Sequence, residues 1–210
     1  MKVTINGVMK NYSAGITYEE LANEYQEQYD NQIGLVCVNG KIRELMKKLD
    51  RDCEIKFFTM KDVIGHKTYV RTATMLLMKA IKDVAAGSIS KCVVEYTIGH
   101  GYYCRPADGD TITPELVAKI EKRMHELVNA EARIYKRAYS AADAIELFAK
   151  QGMVDKEKLF RYRRSSYINV YEMEGYFDYN YGYMLPNAGY VKYFKLMPYA
   201  KGMMLLLPER

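Results

Sequence analysis

Hydrophobic and polar residues alternate with the period of a β-strand in several stretches of the first 60 residues. Lys2–Ile5 predicts a short strand, and Asn6-Gly7 is a pair preferred in two-residue hairpin turns, so the chain is expected to return antiparallel over residues 8–12. The apolar run Ile33–Val38 predicts a buried strand, and Glu54–Thr59 alternates like a final one. These elements predict a compact α+β unit.

A short helix is predicted between the hairpin and the buried strand. Thr17 suits the N-cap position, and Glu20 follows three residues later, which is the spacing of a capping box. Leu21, Ala22 and Tyr25 then supply an apolar stripe at helical spacing. The unit is therefore expected to have the order β-β-α-β-β.

A long helix is predicted over residues 69–86, where apolar positions recur every three or four residues. Gly87 is expected to end it, and Asp62–His66 is interpreted as a boundary between two domains, with Gly65 as a helix breaker. Cys92–Ile98 follows and predicts a strand.

Two more helices are predicted from their N-terminal signals. Thr113 is a good cap residue and Pro114 occupies the first helical position, where a missing N–H costs nothing. The next helix is expected to begin at Ser140 and to end at Gly152. From residue 166 to residue 207 the chain is strand-like and rich in tyrosine.

Composition narrows the class of protein. Hydrophobic residues make up 49% of the chain and charged residues 27%, which are values of a folded globular protein and exclude extensive disorder. The longest apolar run, Gly202–Leu207, is far short of the ~20 residues that a membrane-spanning helix needs. The first residues lack a signal-peptide pattern, so we expect a cytoplasmic protein with no membrane partner.

Charge is unevenly spread along the chain. Residues 1–60 carry eight Lys/Arg against nine Asp/Glu, and residues 61–210 carry 23 against 17, so the net charges are −1 and +6. A basic second part is typical of proteins that bind nucleic acid, phosphate or nucleotides. A solvated surface without a ligand is the alternative interpretation.

The first unit resembles a TGS domain, which is a small ubiquitin-like β-grasp module. The resemblance rests on the strand order, on the sequence V-N-G-K at Val38–Lys41, on Leu49 and on the strand Glu54–Thr59. It covers residues 1–62 and implies a module without catalytic residues. Such modules precede larger domains in synthetases, regulatory GTPases and some kinases.

Residues 63–210 resemble the editing domain that threonyl-tRNA synthetases share with alanyl-tRNA synthetases. The matching motifs are G-Y-Y at Gly101–Tyr103, the helix start Thr113–Leu116 with Ile120–His125 after it, and the segment Asp178–Met197. The resemblance implies a domain of helices and antiparallel sheet. The expected fold class is therefore α+β, a ubiquitin-like β-grasp followed by an editing-like domain.

The metal ligands of that editing family are missing from this chain. The family carries H-x-x-x-H on its first helix and C-x-x-x-H near its end; here the first pair falls on Arg71 and Met75, and the second on Asn180 and Met184. Met, Asn and cationic Arg are poor zinc ligands. We therefore expect no bound metal, no cofactor and no catalytic residue in this chain.

Four stretches resemble long bacterial uridine kinase-like proteins, in which a TGS domain and a histidine-free editing-like domain precede a P-loop kinase. These stretches are Gly101–Cys104, Leu159–Arg164, Tyr181–Pro186 and Tyr190–Phe194. The resemblance implies a C-terminal kinase domain that uses ATP and magnesium to phosphorylate a nucleoside. The 210 residues contain no G-x-x-x-x-G-K-[ST] motif, so the chain is interpreted as the front half of such a kinase or as a separately encoded remnant.

Arg71 is the central residue of the expected ligand site. Two interpretations are open: at the position that the resemblance assigns to a metal ligand, its guanidinium binds a phosphate or carboxylate through two N–H groups, or it pairs with an acid such as Asp178. The four former ligand positions are expected around one cleft that binds an anion, with Asp178 and Lys195 at its rim. The candidate ligand-binding residues are Arg71, Tyr102, Arg163, Arg164, Asp178, Asn180, Tyr181 and Lys195.

Two tyrosine-containing stretches of the sequence can each be interpreted in two ways. The stretch Arg161–Arg164 either binds a nucleic-acid backbone or forms a solvated basic edge. Tyr179, Tyr181 and Tyr183 would share one face of a strand, which either packs on a neighbour or binds a ligand.

The expected function is that of a non-catalytic regulatory, ligand-binding or RNA-binding front region of a uridine kinase-like protein. A tRNA-editing-type hydrolase and a freestanding RNA-binding module are the alternatives. The expected partners are an anionic small molecule, a nucleotide or RNA, together with a kinase domain.

Overall fold

The structure, a computed structural model, describes residues 1–85, 88–89, 91–163 and 165–209. The chain has the α+β fold class that the sequence predicts, a β-grasp unit followed by a unit of helices and antiparallel sheets. The expected helix end at Gly87 and the candidate residue Arg164 lie outside the described residues. In those that are described, no helix is long and apolar enough to cross a membrane.

The first unit is a five-stranded sheet on which one α-helix packs. Its elements are β1 (Lys2–Ile5), β2 (Val8–Asn11), α1 (Tyr18–Tyr25), β3 (Ile33–Val38), β4 (Lys41–Glu44) and β5 (Cys53–Thr59). The strand order is β2-β1-β5-β3-β4, with β1 and β5 parallel and the other neighbours antiparallel. The buried strand β3 and the apolar stripe of α1 meet in its core.

Local sequence signals explain the start of this unit. Asn6 and Gly7 have φ angles of 51° and 79°, as a two-residue turn of type I′ requires. The Thr17 hydroxyl accepts a hydrogen bond from the Glu20 N–H, and the Glu20 carboxylate accepts one from the Thr17 N–H. The predicted capping box is therefore confirmed.

The long helix begins earlier than the apolar pattern predicts. α2 spans Val63–Val84, so the stretch Asp62–His66, interpreted as a boundary, contains the first turn of the helix. Gly65 does not break it. A Cβ at this position would lie 1.9 Å from the Thr59 carbonyl oxygen, so glycine is required for the close approach of the helix to the end of β5.

Two antiparallel sheets and the helices that cover them form the second unit in the described ranges. Its further elements are β6 (Cys92–Ile98), β7 (Gly101–Pro106), α3 (Pro114–Asn129), β8 (Tyr135–Ser140), α4 (Ala141–Lys150), α5 (Val154–Tyr162), β9 (Tyr167–Met173), β10 (Tyr176–Asp178), β11 (Lys195–Tyr199) and β12 (Gly202–Leu206). The sheet orders are β11-β12-β7-β6 and β10-β9-β8. The helices α2 and α3 share a core with the four-stranded sheet, whereas α4 and α5 pack on the three-stranded sheet.

The sequence places the second unit's helices better than its strands. Thr113 and Ser140 cap α3 and α4 as predicted. The strand β8 and the helix α5 have no predicted counterpart, because few of their side chains are buried. Residues 179–187 form neither helix nor strand, so the expected strand face shared by three tyrosines in this stretch is wrong.

Candidate anion-binding cleft

A cleft of about 460 Å³ lies beside α2 in the second unit, and we call it the Arg71 cleft. Arg71 comes from α2, Lys136 from β8, and Asn169 from β9; Arg163 lies just beyond α5. The remaining side is closed by residues 179–185, called the wall segment below, of which residues 179–183 line the cleft. Elements far apart in sequence therefore build one concavity.

The Arg71 guanidinium has no partner among the described residues. The side chain is half-buried, and its Nη1 atom is shielded from solvent without any hydrogen bond. The alternative expectation, a pair with Asp178, is wrong, because Asp178 forms its ion pair with Lys156. A buried N–H donor without a partner costs about 1–3 kcal/mol, so this group is set up to gain from an incoming acceptor.

Gly182 allows the wall segment to lie directly against Arg71. Its φ is +140°, a backbone conformation that favours glycine, and a Cβ there would lie 2.5 Å from the Arg71 Cζ atom. The backbone at this point therefore forms a flat support for one side of the guanidinium. The Leu185 N–H donates to the Thr72 hydroxyl at 3.1 Å, which fixes the wall segment to the neighbouring position of α2.

The wall segment is also held by Glu44, which belongs to the first unit. Its side chain is only 1% exposed. Glu44 Oε1 accepts hydrogen bonds from the Tyr171 hydroxyl at 2.5 Å and from the Met184 N–H at 3.1 Å, and Oε2 lies 3.0 Å from the Lys136 Nζ. Burial, reinforced by the Glu44 carboxylate, raises the pKa of Tyr171, so its hydroxyl stays a donor.

The electrostatic character of the cleft is positive. Arg71, Lys136 and Arg163 line it, and no carboxylate stands among the described lining residues. The Glu44 carboxylate neutralises Lys136, whereas the partner of Arg163 is the hydroxyl group of Tyr179 and not an acid. An anion entering the cleft therefore meets two cations without a paired acid.

Aromatic rings border the same cleft. Tyr167 is 70% exposed and Tyr181 is 86% exposed, while Tyr179 and Tyr183 line the interior. Exposed tyrosine rings beside cationic groups suit a ligand that combines a flat ring with a phosphate. Tyr179, Tyr181 and Tyr183, which the sequence predicted on one face of a strand, therefore lie in the same cleft but on an irregular segment.

Several candidate residues lie where the sequence places them and others do not. Arg71, Arg163, Asn180 and Tyr181 all line the cleft. Tyr102 does not, because β7 carries it to a separate cleft that also contains His100.

Asp178 and Lys195, which were expected at the rim of the cleft, do not line it, because each forms an ion pair elsewhere. Asp178 ends β10 and lines a cleft of about 390 Å³ next to its partner Lys156. Lys195 lies on β11, where its Nζ is 3.0 Å from Glu121.

Met75 and Met184 do not line the cleft either. They are 1% and 0% exposed and belong to the core of the second unit, where flexible methionine side chains serve as packing residues. Of the four former ligand positions, only Arg71 and Asn180 reach the cavity. The described residues contain no group of three or more His, Cys, Asp or Glu placed to hold a metal ion.

Sequence reasoning missed Lys136, Gly182 and Glu44. Lys136 lies on the unpredicted strand β8, and Glu44 looks like any polar residue after a hairpin. Gly182 carries a usable signal, because a glycine between two tyrosines in a ligand-like segment suggests a close backbone approach.

Curated relatives of this chain carry the name threonine–tRNA ligase. The chain is 28% identical over 203 residues to that of Porphyromonas gingivalis, 29% over 201 residues to that of Thermotoga maritima, and 28% over 196 residues to that of Rickettsia typhi. These alignments cover 95%, 94% and 93% of this chain but 31% of each relative, so the chain spans about a third of their length. No family model matches the chain.

The similarity falls in the N-terminal region of these relatives. This region fits a TGS domain followed by an editing-like domain, in agreement with the resemblance seen in the sequence. The names of these relatives lend no support to the expected kinase.

Proposed function

We propose that this chain is a non-catalytic region that binds a phosphate-bearing ligand, a nucleotide or the end of an RNA strand, in the Arg71 cleft. The observation that carries the proposal is the Arg71 guanidinium, which is half-buried and unpartnered in a cleft without a described carboxylate. A guanidinium presents two parallel N–H donors that match phosphate oxygens.

The tyrosines favour a nucleotide over inorganic phosphate. Tyr181 and Tyr167 are exposed beside the cleft, so a base can stack on either ring while its phosphate meets Arg71. Asn169 and Asn180 supply donors and acceptors for the polar edge of a base or for a sugar hydroxyl. RNA also fits the names of the relatives, each of which is a tRNA ligase.

The absence of catalysis is part of the proposal. The positions of the editing ligands carry Arg71, Met75, Asn180 and Met184, and the two methionines are buried in the core. A deacylation assay with mischarged threonine tRNA tests this directly. Robust turnover would show that the chain is an editing-type hydrolase after all.

The larger context is proposed in two forms. In the first form, the chain is the front half of a uridine kinase-like protein, and ATP and magnesium bind a domain outside these 210 residues. In the second form, the chain is a region associated with a tRNA synthetase. The full-length coding sequence separates them. A downstream G-x-x-x-x-G-K-[ST] motif supports the kinase, and its absence from the complete reading frame contradicts it.

Calorimetric titration tests the ligand site. The purified chain is titrated with UMP, ATP, pyrophosphate and a short RNA, and the experiment is repeated with the variants Arg71→Met and Arg161→Met. Arg161 is an exposed arginine paired with Glu157 outside the cleft, so its variant controls for net charge. At least tenfold weaker binding by Arg71→Met alone is expected; equal binding by both variants would disprove the site.

A further inference from the structure

A second basic groove lies on the first unit and shares no lining residue with the Arg71 cleft. It has a volume of about 510 Å³ and is lined by Lys41, Arg43, Lys47, Lys48 and Arg51, with Asp50 as its only described carboxylate. Asp50 and Arg51 form an ion pair at 2.9 Å. The other four cations have no ion pair among the described residues, so the groove has a local excess of four positive charges.

The net charge of the first unit does not indicate this cluster of positive charge. Residues 1–60 contain eight Lys/Arg and nine Asp/Glu, yet five of the eight cations line this one groove. Three of the nine acids have partners outside the groove: Glu44 is buried against the second unit, Glu19 pairs with Arg133, and Glu24 pairs with Lys10. The separation of charges gives a nominally acidic unit one strongly positive face.

The backbone that carries these cations is fixed. Lys41 and Arg43 alternate on β4 with the more buried Ile42 and Glu44, so both basic side chains point to the same face. Residues 45–49 are tied to the start of α1. The Tyr18 N–H donates to the Lys47 carbonyl oxygen at 2.9 Å, and the Leu49 N–H donates to the Ile16 carbonyl oxygen at 2.8 Å.

The composition of the groove identifies its ligand class. Its two large apolar residues, Tyr18 and Val38, are only 3% and 8% exposed, so the groove offers no apolar anchor for the side chains of a protein partner. Several unpaired cations on a fixed frame are what a chain of phosphates requires. We infer that this groove binds the phosphate backbone of a nucleic-acid strand, at a site independent of the Arg71 cleft.

Fluorescence anisotropy with a labelled 20-nucleotide RNA, and with DNA of the same sequence, tests the groove. The double variant Lys47→Gln/Lys48→Gln is compared with Lys2→Gln/Lys56→Gln, which removes two lysines from the same unit outside the groove. Groove neutralisation is expected to weaken binding about tenfold at low salt and to reduce the slope of log affinity against log salt by about two.

Other results decide against the groove. Equal weakening by both double variants means that only net charge matters. Competition by polyglutamate as strong as that by unlabelled RNA indicates an acidic protein partner instead. Undetectable binding of both nucleic acids also overturns the inference, provided that circular dichroism shows each variant folded. In an Arg71→Met background, Lys47→Gln/Lys48→Gln is expected to weaken RNA binding and to reduce the salt slope by the same amount as in the unmodified chain, which keeps this test separate from that of the Arg71 cleft.

Discussion

Glu44 and Arg71 are charged side chains that contact the same wall segment, and their hydrogen-bonding surroundings differ. Glu44 is almost fully buried and has three partners, namely Lys136, the Tyr171 hydroxyl and the Met184 N–H. Arg71 is half-buried and has none among the described residues. A charge with all its partners stabilises the fold, whereas a charge without them is available to a ligand.

Lys136 connects the two environments. Its ammonium neutralises Glu44 at 3.0 Å, and its side chain also lines the Arg71 cleft. The first unit therefore contributes to the cleft indirectly, by fixing a cation and the backbone of one wall. The following predictions test the contrast between the two charges.

Removal of Glu44 is expected to have the largest effect on stability. Glu44→Ala leaves the Met184 N–H buried without a partner and removes the carboxylate that pairs with the partly exposed Lys136 ammonium; breaking a buried ion pair costs about 3–5 kcal/mol, and this loss should lie toward the lower end of that range. Urea unfolding followed by circular dichroism measures the loss. Glu54→Ala, at an exposed site on β5, is the control and should change stability by less than about 0.5 kcal/mol. Similar losses in the two variants would refute a structural role for Glu44.

A side chain at Gly182 is expected to damage both stability and binding. Gly182→Ala strains a residue at φ +140°, at a cost of about 1–3 kcal/mol, and forces the Arg71 guanidinium away from the wall segment. Gly175→Ala is the matched control, because Gly175 also has a positive φ (+74°) but open space around its Cα. Both variants should lose stability, and only Gly182→Ala should bind UMP more weakly. Unchanged UMP binding by Gly182→Ala would contradict the contact with Arg71.

Loss of Arg71 is expected to stabilise the protein. Arg71→Met keeps the apolar stem and removes the unsatisfied Nη1 donor, so the free energy of unfolding should rise by about 1 kcal/mol while anion binding falls. Urea unfolding and calorimetric titration measure the two quantities on one sample. A destabilised variant would mean that Arg71 has a structural partner in solution.

The smallest effect is expected at a second contact between the units. Arg133 donates two hydrogen bonds to Glu19 at 2.9 and 3.0 Å, but its side chain is 45% exposed. Arg133→Gln should cost no more than about 1 kcal/mol, and this loss should shrink at high salt because exposed pairs are screened. The cost of Glu44→Ala should not depend on salt. A salt-dependent Glu44 effect would remove the distinction between the two contacts.

Much of the fold could be predicted from the sequence, because its signals are local. The Asn6-Gly7 turn, the Thr17–Glu20 capping box and the cap at Thr113 each act through neighbouring residues, and each is present in the structure. The start of α2 was placed wrongly because Gly65 is normally a helix breaker. Here tertiary packing against Thr59 requires the glycine, and no local pattern contains that information.

Four of the cleft residues could be named from the sequence: Arg163 and Tyr181 from the arginine and tyrosine patterns, and Arg71 and Asn180 from the resemblance to a family. Arg71 and Asn180 were paired in this way, although they are more than 100 residues apart in sequence. Glu44 was not predictable, since nothing local distinguishes a carboxylate that will be buried against another unit from one that stays in solvent. Asp178 and Lys195 were misplaced because their nearest opposite charges come from α5 and α3.

The junction between the two units also limits how the molecule can be divided. The Thr59 N–H and hydroxyl donate to the Asp62 carboxylate at 2.7 and 3.1 Å, and Gly65 fits against the Thr59 carbonyl with no space left over. A cut at this point removes the residue that precedes α2 and leaves the partners of Glu44 uncovered. The β-grasp unit therefore cannot be exchanged for another one without also changing the second unit. Chimaeras that graft a foreign β-grasp onto this second unit need to retain both the junction and an equivalent of Glu44.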